Sequence, residues 1–381
     1  MSILTQSMSS QSNLTLRIIN QYHPKLLNKK MSFFLKTDIE EISKRLEPEL
    51  DLIRSKTIFF AGIAGFLGRY FAETINYLNV NYNTNIKIIG ADNFVSSGAL
   101  GNYVDNYNQD WFQFIKADLT ILDSVNLNDK NVDIVVHAAG IASPAQYNSR
   151  PIETFDVAIN GSKTLIQLAT KNNARYTYFS SSEIYGDPDI DNIPIKEEYK
   201  GYVSCMGPRA CYDESKRASE TLAYIHNEYH NLHTNIIRPF NVYGPGMQKT
   251  DYRVMPNFAF NAKEKLPLEV YGTGNQTRTY CYITDAIVGF CKVILKGKSG
   301  EAYNIGNPSP EIAVEDLAKI FSKVSNNEVK ILKKEYPENY PPDEPNRRCP
   351  SIEKAKNDLS YVPEVEIEDG IKRFLSWTEQ H

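Results

Sequence analysis

The stretch FFAGIAGFLGRY, residues 59–70, constrains the fold of this chain more than any other. It joins an apolar run, TIFFA (57–61), to a helix-like pattern through Gly62, Gly65 and Gly68. Glycines at this spacing let the backbone approach a pyrophosphate, and the N-terminus of the following helix adds unpaired N–H groups and a favourable dipole. A glycine triplet alone is weak evidence, but its place between a strand and a helix predicts the first unit of a dinucleotide-binding α/β fold.

Short apolar runs continue to alternate with longer helical patterns as far as about Tyr243. Strands are predicted at 57–61, 86–91, 111–116, 132–137 and 176–180, and helices at 67–78 and 153–169. This alternation indicates a parallel sheet with helices on both faces. We therefore predict an α/β fold with a Rossmann-like doubly wound parallel sheet.

Beyond Tyr243 the pattern becomes irregular, because breakers such as YGPG, KLPL and YPENYPPDEP interrupt it. Helices are predicted at 284–295, 314–324 and 366–378. A smaller C-terminal substrate-binding domain built over the strand ends fits this pattern. The predicted organisation is an N-terminal extension (1–54), a dinucleotide-binding domain (55–250) and a second, interleaved domain (251–381).

Composition excludes several classes of partner. The net charge of -4 provides no basic footprint for a nucleic acid. No uncharged apolar run reaches about 18 residues, so we predict no membrane span. The five cysteines form no CxxC pair or zinc-like spacing, which favours a reducing cytoplasm and predicts neither a metal site nor a disulfide framework.

The segment 1–37 contains lysines, Arg17 and several serines but no acid. That composition is found in some organelle-targeting peptides, although no signal-peptide hydrophobic core is present. The alternatives are a surface extension, or a natural start at Met31.

Two aspartates follow predicted strands on the cofactor side. Asp92 ends the strand that comes after the glycine-rich turn and its helix. An acid at this point accepts hydrogen bonds from the adenosine ribose and repels the additional phosphate of NADP, which favours NAD. The alternative is a turn-forming aspartate. Asp118 follows the third strand, where it either contacts the adenine or caps a helix.

The segment ACYDESKRASETLAYI (210–225) predicts a helix on which Tyr212 and Lys216 share one face. A tyrosine has an intrinsic pKa near 10, so it needs a nearby cation to act as a base near pH 7. The YxxxK spacing alone occurs by chance in many proteins. It becomes specific after a glycine-rich strand–helix unit and a strand that ends in serines.

These motifs resemble the extended short-chain dehydrogenase/reductase (NAD-dependent epimerase/dehydratase) family, and within it the UDP-glucuronate decarboxylases (UDP-xylose synthases). The resemblance runs from about residue 57 to the end and leaves the extension 1–54 outside. It is carried by ASPAQY (142–147), SSSEIYGDP (180–188), GPRACYDESKR (207–217), RPFNVYGPGM (238–247), VYGTGNQTRTYCYITD (270–285) and YNIGNP (303–308).

The resemblance implies an NAD-retaining enzyme that acts on a nucleotide sugar and forms a homodimer. It makes Tyr212 the base, Lys216 its lysine and Ser181 the hydroxyl that binds the sugar. The implied cofactor contacts, besides Tyr212 and Lys216, are Gly62, Gly65, Phe66, Leu67, Gly68, Asp92, Asn93, Asp118, Leu119 and Ala138. The implied substrate contacts are Ser182, Asn241, Asn257, Arg278 and Arg348.

The two arginines suit a diphosphate, because a guanidinium fork bonds two oxygens at once. The alternative for both is a surface loop position. The chain also departs from its relatives at two places. Ala158 stands where an asparagine is usual, with Asn160 two positions later facing elsewhere, and Ser351 stands where an aspartate is common.

Glu183 in SSSEIYG (180–186) separates the reactions of this family. By the resemblance, all members first oxidise the sugar at C4, with Tyr212 removing the hydroxyl proton while hydride passes to NAD. A 4-epimerase then needs no carboxylate here, and a 4,6-dehydratase pattern, TDEVYG, places an aspartate where this chain has Ser182. A 4-keto uronate is a β-keto acid that needs only positioning and enolate stabilisation to lose carbon dioxide.

The sequence therefore favours decarboxylation, with UDP-glucuronate converted to UDP-xylose. Glu183 would orient the sugar ring or relay the C5 proton, and Arg278 would assist near the departing carboxylate. The structural alternative for Glu183 is a cap on a loop amide. The functional alternatives are an epimerase, a dehydratase or a branched-pentose synthase on the same scaffold, and a non-catalytic relative that senses dinucleotides or binds RNA.

Overall fold

The structure is a computed structural model that describes residues 33–97, 107, 110–125, 127, 131–251, 253–326, 329–336 and 345–380. Its strands are β1 (Thr57–Ala61), β2 (Lys87–Asp92), β3 (Phe112–Lys116), β4 (Ile134–His137), β5 (Arg175–Phe179), β6 (Thr234–Pro239), β7 (Val242–Tyr243), β8 (Leu268–Tyr271), β9 (Thr277–Arg278), β10 (Cys281–Tyr282), β11 (Glu301–Ile305), β12 (Ile312–Ala313), β13 (Ile331–Lys334) and β14 (Arg347–Arg348).

Helices connect these strands and cover the sheet. The α-helices are α1 (Lys36–Arg45), α2 (Leu50–Ile53), α3 (Phe66–Tyr82), α4 (Pro144–Ser149), α5 (Pro151–Asn172), α6 (Ala210–His230), α7 (Val254–Lys263), α8 (Ile283–Lys296), α9 (Val314–Val324), α10 (Glu353–Leu359) and α11 (Ile367–Thr378). Short 3-10 turns lie at Glu47–Glu49, Ser182–Tyr185 and Ile190–Asn192.

The central sheet has seven strands in the order β11-β6-β5-β4-β1-β2-β3, and every pair of neighbours is parallel. This confirms the predicted α/β class and the doubly wound parallel sheet. The five strands and the helices predicted from the sequence are present with ends shifted by a few residues at most. The strand order reverses between β1 and β4, the point at which ligands bind in open sheets of this kind.

The core lies on both faces of the sheet, as β1 shows. Ile58 and Phe60 belong to one apolar cluster, whereas Phe59 and Ala61 belong to another. Successive side chains of a strand point to opposite faces, so an all-apolar strand is buried on both sides. This explains why TIFFA shows no alternation with polar residues.

Helix α1 packs against α3 and α8, so the segment before the first strand adds to the same core. Its Asp38 is fully buried and accepts a hydrogen bond from the Tyr282 hydroxyl at 2.8 Å. Near the end of the same helix, Arg45 donates to the buried Asp285 at 2.7 Å. The start at Met31 and most of the predicted targeting segment 1–37 lie outside the described residues, whereas residues 33–37 are described and lead into α1. The predicted domain boundaries stay predictions.

Three small sheets follow the sixth strand, and one of them positions two arginines. In the sheet β12-β9-β14, strand β14 runs parallel to β9 and places Arg348 opposite Arg278. Two segments far apart in the sequence thereby place two arginines at paired positions, and both side chains line the same cavity. Within the described part of the chain, no helix has the length and apolar composition needed to cross a membrane.

Candidate active site

The turn after β1 forms a loop that we call the glycine cradle, made of Gly62, Gly65 and Gly68. Gly62 has a φ of +87°, a left-handed conformation that glycine adopts without strain, and a Cβ there would lie 2.8 Å from the Ala138 carbonyl. A Cβ on Gly68 would lie 2.4 Å from the Gly62 oxygen. Helix α3 starts at Phe66 and directs its N-terminus to the same place. These features fit the pyrophosphate of a dinucleotide.

Asp92 closes the cradle from the side. Its two carboxylate oxygens accept hydrogen bonds from the backbone N–H groups of Ala64 (3.0 Å) and Phe94 (2.8 Å). Burial raises the pKa of Asp92, and these hydrogen bonds act against the rise. The side-chain oxygens of Asn93 and Asp118 accept hydrogen bonds from the backbone N–H groups two positions later, those of Val95 and Thr120 respectively.

A cavity of about 970 Å³ extends from the glycine cradle to the end of β5. Most of the predicted site residues line it, whereas Asp92, Asn93, Asp118 and Leu119 are absent from the described residues of its lining. The predicted residues in the lining are Gly62, Gly65, Phe66, Leu67, Gly68, Ala138, Ser181, Ser182, Glu183, Tyr212, Lys216, Asn241, Asn257, Arg278 and Arg348.

Helix α6 presents Tyr212 and Lys216 to this cavity. The Lys216 ammonium group donates to the Phe179 carbonyl at 2.7 Å and lies 5.7 Å from the centre of the Tyr212 ring. Burial raises the pKa of Tyr212 to about 12, although a hydrogen bond with Ser181 acts in the opposite direction. Burial also lowers the pKa of Lys216 to about 8. The tyrosine therefore needs additional positive charge in the site before it becomes a base near neutral pH.

Glu183 lies in the 3-10 turn after β5, where its N–H donates to the Ser181 hydroxyl at 3.2 Å. Its carboxylate receives hydrogen bonds from both Arg348 and Arg209, with a distance of 2.7 Å from Arg348 Nη2 to Oε2. Burial alone would raise the pKa of Glu183, but Arg348 and Arg209 outweigh it and lower the pKa to about 2. Glu183 is therefore an anion at neutral pH. We call Ser181, Glu183, Arg209, Tyr212 and Arg348 the reacting end of the cavity.

Residues 58–306 match the model of the NAD dependent epimerase/dehydratase family, which is more than half of the chain. The chain belongs to this family. Membership confirms the resemblance read from the motifs, and with it the expectation of an NAD-dependent enzyme. The glycine cradle is the part of the chain whose shape fits NAD.

UDP-glucuronic acid decarboxylases are among the relatives that match over most of the chain. UDP-glucuronic acid decarboxylase 1 of Arabidopsis thaliana is 34% identical over 319 residues, which cover 84% of this chain and 69% of that protein. UDP-glucuronic acid decarboxylase 1 of Xenopus tropicalis is 32% identical over 324 residues, covering 84% and 72%.

Solved structures show the same fold at lower sequence identity. DesIV, a dTDP-glucose 4,6-dehydratase from Streptomyces venezuelae, has a TM-score of 0.73 and 22% identity, covering 84% of this chain and 96% of that one. UDP-glucuronic acid 4-epimerase from Bacillus cereus has a TM-score of 0.72 and 24% identity, covering 85% and 99%. The scaffold is thus common to members with different chemistries, and only the site can separate them.

Three further residues line the cavity and were not predicted from the sequence: Arg209, Arg253 and Tyr147. Two of them lie inside quoted motifs, GPRACYDESKR and ASPAQY, so a sequence signal was present. Arg209 comes directly before α6, and its Nε is 3.6 Å from Asp213. Burial and the charge of Glu183 raise the pKa of Asp213 to about 7, against the pull of Arg209.

The predicted substrate contacts line the cavity but have protein partners of their own. Arg278 donates to the backbone carbonyls of Pro345 (2.6 Å) and Thr277 (2.8 Å). The Asn241 amide donates to the Thr279 carbonyl at 2.8 Å.

The hydrogen bonds at the two departures, Ala158 and Ser351, involve backbone atoms that any residue has, so nothing in the structure explains the two side chains. The Ala158 carbonyl accepts a hydrogen bond from the Ser219 hydroxyl at 2.9 Å. The Asn160 amide donates to the Thr120 carbonyl at 2.8 Å, and Asn160 is not among the described residues that line the cavity. Ser351 uses its backbone N–H, which donates to the Ile195 carbonyl at 2.8 Å.

Proposed function

We propose that this protein is an NAD-dependent enzyme that converts UDP-glucuronate to UDP-xylose and carbon dioxide through a 4-keto intermediate. The UDP-glucuronic acid decarboxylases that match over 84% of the chain support the substrate class. The observation that carries the proposal is the state of Glu183. It is an anion held by two arginines beside Tyr212, and Ser182 takes the place of the aspartate of a dehydratase.

Tyr212 begins the reaction by removing the proton of the C4 hydroxyl. Ser181 positions the C4 hydroxyl, because the Ser181 side chain forms a hydrogen bond with Tyr212 just after the end of β5. The nearby Lys216 ammonium group stabilises the tyrosinate. The glycine cradle would hold NAD, which when bound would supply a hydride acceptor for C4, the return of that hydride and additional positive charge in the site.

The 4-keto uronate then loses carbon dioxide. The C5–C6 bond breaks, and its electron pair forms the enolate at C4. Arg209 and Arg348 supply the positive charge that stabilises an oxyanion in a water-poor site. Glu183 keeps these guanidinium groups in place and accepts hydrogen bonds from the sugar hydroxyls, a role that suits a group with a low pKa.

The proposal is tested by incubating the protein with NAD and UDP-glucuronate and measuring carbon dioxide and the nucleotide-pentose. Stoichiometric release of both is expected. A 4-epimer without carbon dioxide would show an epimerase, and loss of water would show a dehydratase. No turnover with a panel of nucleotide sugars would leave a dinucleotide- or RNA-binding relative. UDP-glucose is the matched control, because it lacks the C6 carboxylate and cannot release carbon dioxide.

We further propose that NAD is preferred over NADP, that the protein acts in the reducing cytoplasm and that it forms a homodimer. The carboxylate of Asp92 beside the glycine cradle supports the first point, and the five free cysteines support the second. Helices α5 and α6 pack side by side and expose Ile152, Phe155, Tyr224 and Tyr229, which supports the third. Calorimetry with NAD and with NADP measures the two affinities, and light scattering measures the mass of the protein in solution.

A further inference from the structure

Tyr147, the last residue of the ASPAQY motif, has no role in the chemistry described so far. It lies in the short helix α4, is only 2% exposed and lines the cavity. Its ring stacks on the ring of Tyr212, with centroids 5.4 Å apart and an angle of 16° between the planes. The base of the reaction therefore has a second tyrosine directly beside it.

The Tyr147 hydroxyl is buried and has no hydrogen-bond partner among the described residues. A buried hydroxyl left unpaired is destabilising, and such groups in proteins nearly always have a hydrogen-bond partner. Because this one borders the cavity, a bound ligand can supply the missing partner. The ligand atoms near Tyr147 are those around C4 of the sugar, since the adjacent Tyr212 must reach the C4 hydroxyl.

The charges around Tyr147 determine whether its hydroxyl acts as a hydrogen-bond donor or an acceptor toward a ligand. Burial raises the pKa of Tyr147; the charge of Arg209 opposes the rise, and that of Glu183 adds to it. The hydroxyl is therefore protonated at neutral pH and acts as a donor. Glu183 cannot fill that role, because its pKa is lowered to about 2.

Decarboxylation creates a demand for such a donor. After carbon dioxide leaves, C5 needs a proton, and the proton held by Tyr212 is needed for the C4 oxygen when the ketone is reduced. The two tasks fall on adjacent sugar atoms, so they call for two donors side by side. Tyr212 and Tyr147 have that arrangement.

Resting on the proposed function, we propose that Tyr147 is a second catalytic tyrosine, the acid that protonates C5 of the enolate. The C4=C5 electron pair takes the Tyr147 O–H proton to form the C5–H bond, and the C4 ketone is restored. The Tyr147 oxygen is left as tyrosinate beside the Arg209 guanidinium group and takes a proton from solvent water before the next turnover. Charge and atoms balance, and no further reactant is needed.

The test is Tyr147→Phe, which removes the hydroxyl and keeps the stacked ring. In a single turnover with UDP-glucuronate in deuterated water, reduced-nicotinamide absorbance and carbon dioxide should appear at near wild-type rates. The pentose that carries deuterium at C5 should form about 100-fold more slowly, a typical loss for a general acid. A purely structural role would instead slow all three signals together.

Tyr176→Phe is the matched control, because Tyr176 is a buried tyrosine whose hydroxyl bonds Ser162 at 3.3 Å outside the cavity lining. It should leave all three rates unchanged. If Tyr147→Phe fails to fold, 3-fluorotyrosine at position 147 keeps the shape, makes the hydroxyl more acidic and should shift the pH profile of pentose formation.

Wild-type pentose formation by Tyr147→Phe, or an unshifted profile with 3-fluorotyrosine, would overturn this inference alone. Absence of carbon dioxide from the wild-type protein would overturn the proposed function and this inference with it.

Discussion

The two ends of the cavity are built in different ways. The glycine cradle consists of backbone from one continuous segment, and its shape depends on missing side chains. The reacting end consists of charged and hydroxyl side chains from segments around residues 181, 209 and 348. The cradle can thus be recognised from a short motif, whereas the chemistry depends on contacts between parts of the chain far apart in sequence.

The difference also decides how each end responds to substitution. In the cradle an added methyl group meets backbone atoms that cannot move aside, so the effect falls on binding and stability. At the reacting end the groups are coupled through charge, so one substitution changes the state of its neighbours. Four predictions test this contrast.

The largest effect is expected for Tyr212→Phe at the reacting end. The variant retains the ring but loses the transferable proton, so carbon dioxide release should fall by about 10³-fold or more. The affinity for NAD should stay within about twofold of wild type by calorimetry. Tyr202→Phe, at an exposed tyrosine outside the cavity lining, is the control that should retain full activity. Unchanged turnover in Tyr212→Phe would show that α6 does not carry the base.

Glu183→Gln should slow the steps after oxidation by about 10–100-fold. The first step should still occur, because the variant keeps the Tyr212 hydroxyl and the Lys216 ammonium group and removes a negative charge that raises the pKa of Tyr212. Reduced nicotinamide should therefore accumulate transiently on mixing with UDP-glucuronate. Glu311→Gln is the matched control, because it removes a glutamate that pairs with Arg347 at 2.7 Å outside the cavity lining. Reduced nicotinamide should not accumulate in that variant. Wild-type rates in Glu183→Gln would leave Glu183 as a structural cap.

Gly68→Ala should lower NAD affinity by about tenfold and stability by about 1–3 kcal/mol, as overpacking commonly does. The new Cβ would lie 2.4 Å from the Gly62 oxygen and 2.6 Å from the Ile63 Cα. Gly65→Ala in the same loop should do less, since its nearest atom is 3.2 Å away. Calorimetry and thermal unfolding measure both. Equal effects of the two variants would contradict the cradle geometry.

The smallest effect is a pH dependence of stability that involves Asp213. Its pKa is raised to about 7 from 3.8, so its contribution to stability is present below pH 4 and is lost as the pH rises through 7. Asp213→Asn removes this loss. The variant should gain stability relative to wild type between pH 5 and pH 8, on the order of 1 kcal/mol. Parallel unfolding curves of the two proteins against pH would argue against a raised pKa.

Much of the fold could be predicted because it rests on local patterns. Each of these patterns lies within one short segment: the all-apolar strand TIFFA, the helical spacing of 314–324 and the glycine turn. Predicted and observed helix bounds agree at Val314–Val324 and differ by a single position at Ile367–Thr378. The segment before β1 was set apart as an extension, although its α1 carries the buried Asp38, whose partner Tyr282 lies 244 positions further along the chain.

The sequence by itself determined the family, the cofactor class and the residue types of the site, because motif spacing reflects local backbone geometry. The tertiary structure alone decided which groups hold the Glu183 carboxylate, since Arg348 lies 165 positions away in the sequence. It also decided that Tyr147 stacks on Tyr212. Charge coupling and stacking depend on distances in space, which a linear pattern does not contain.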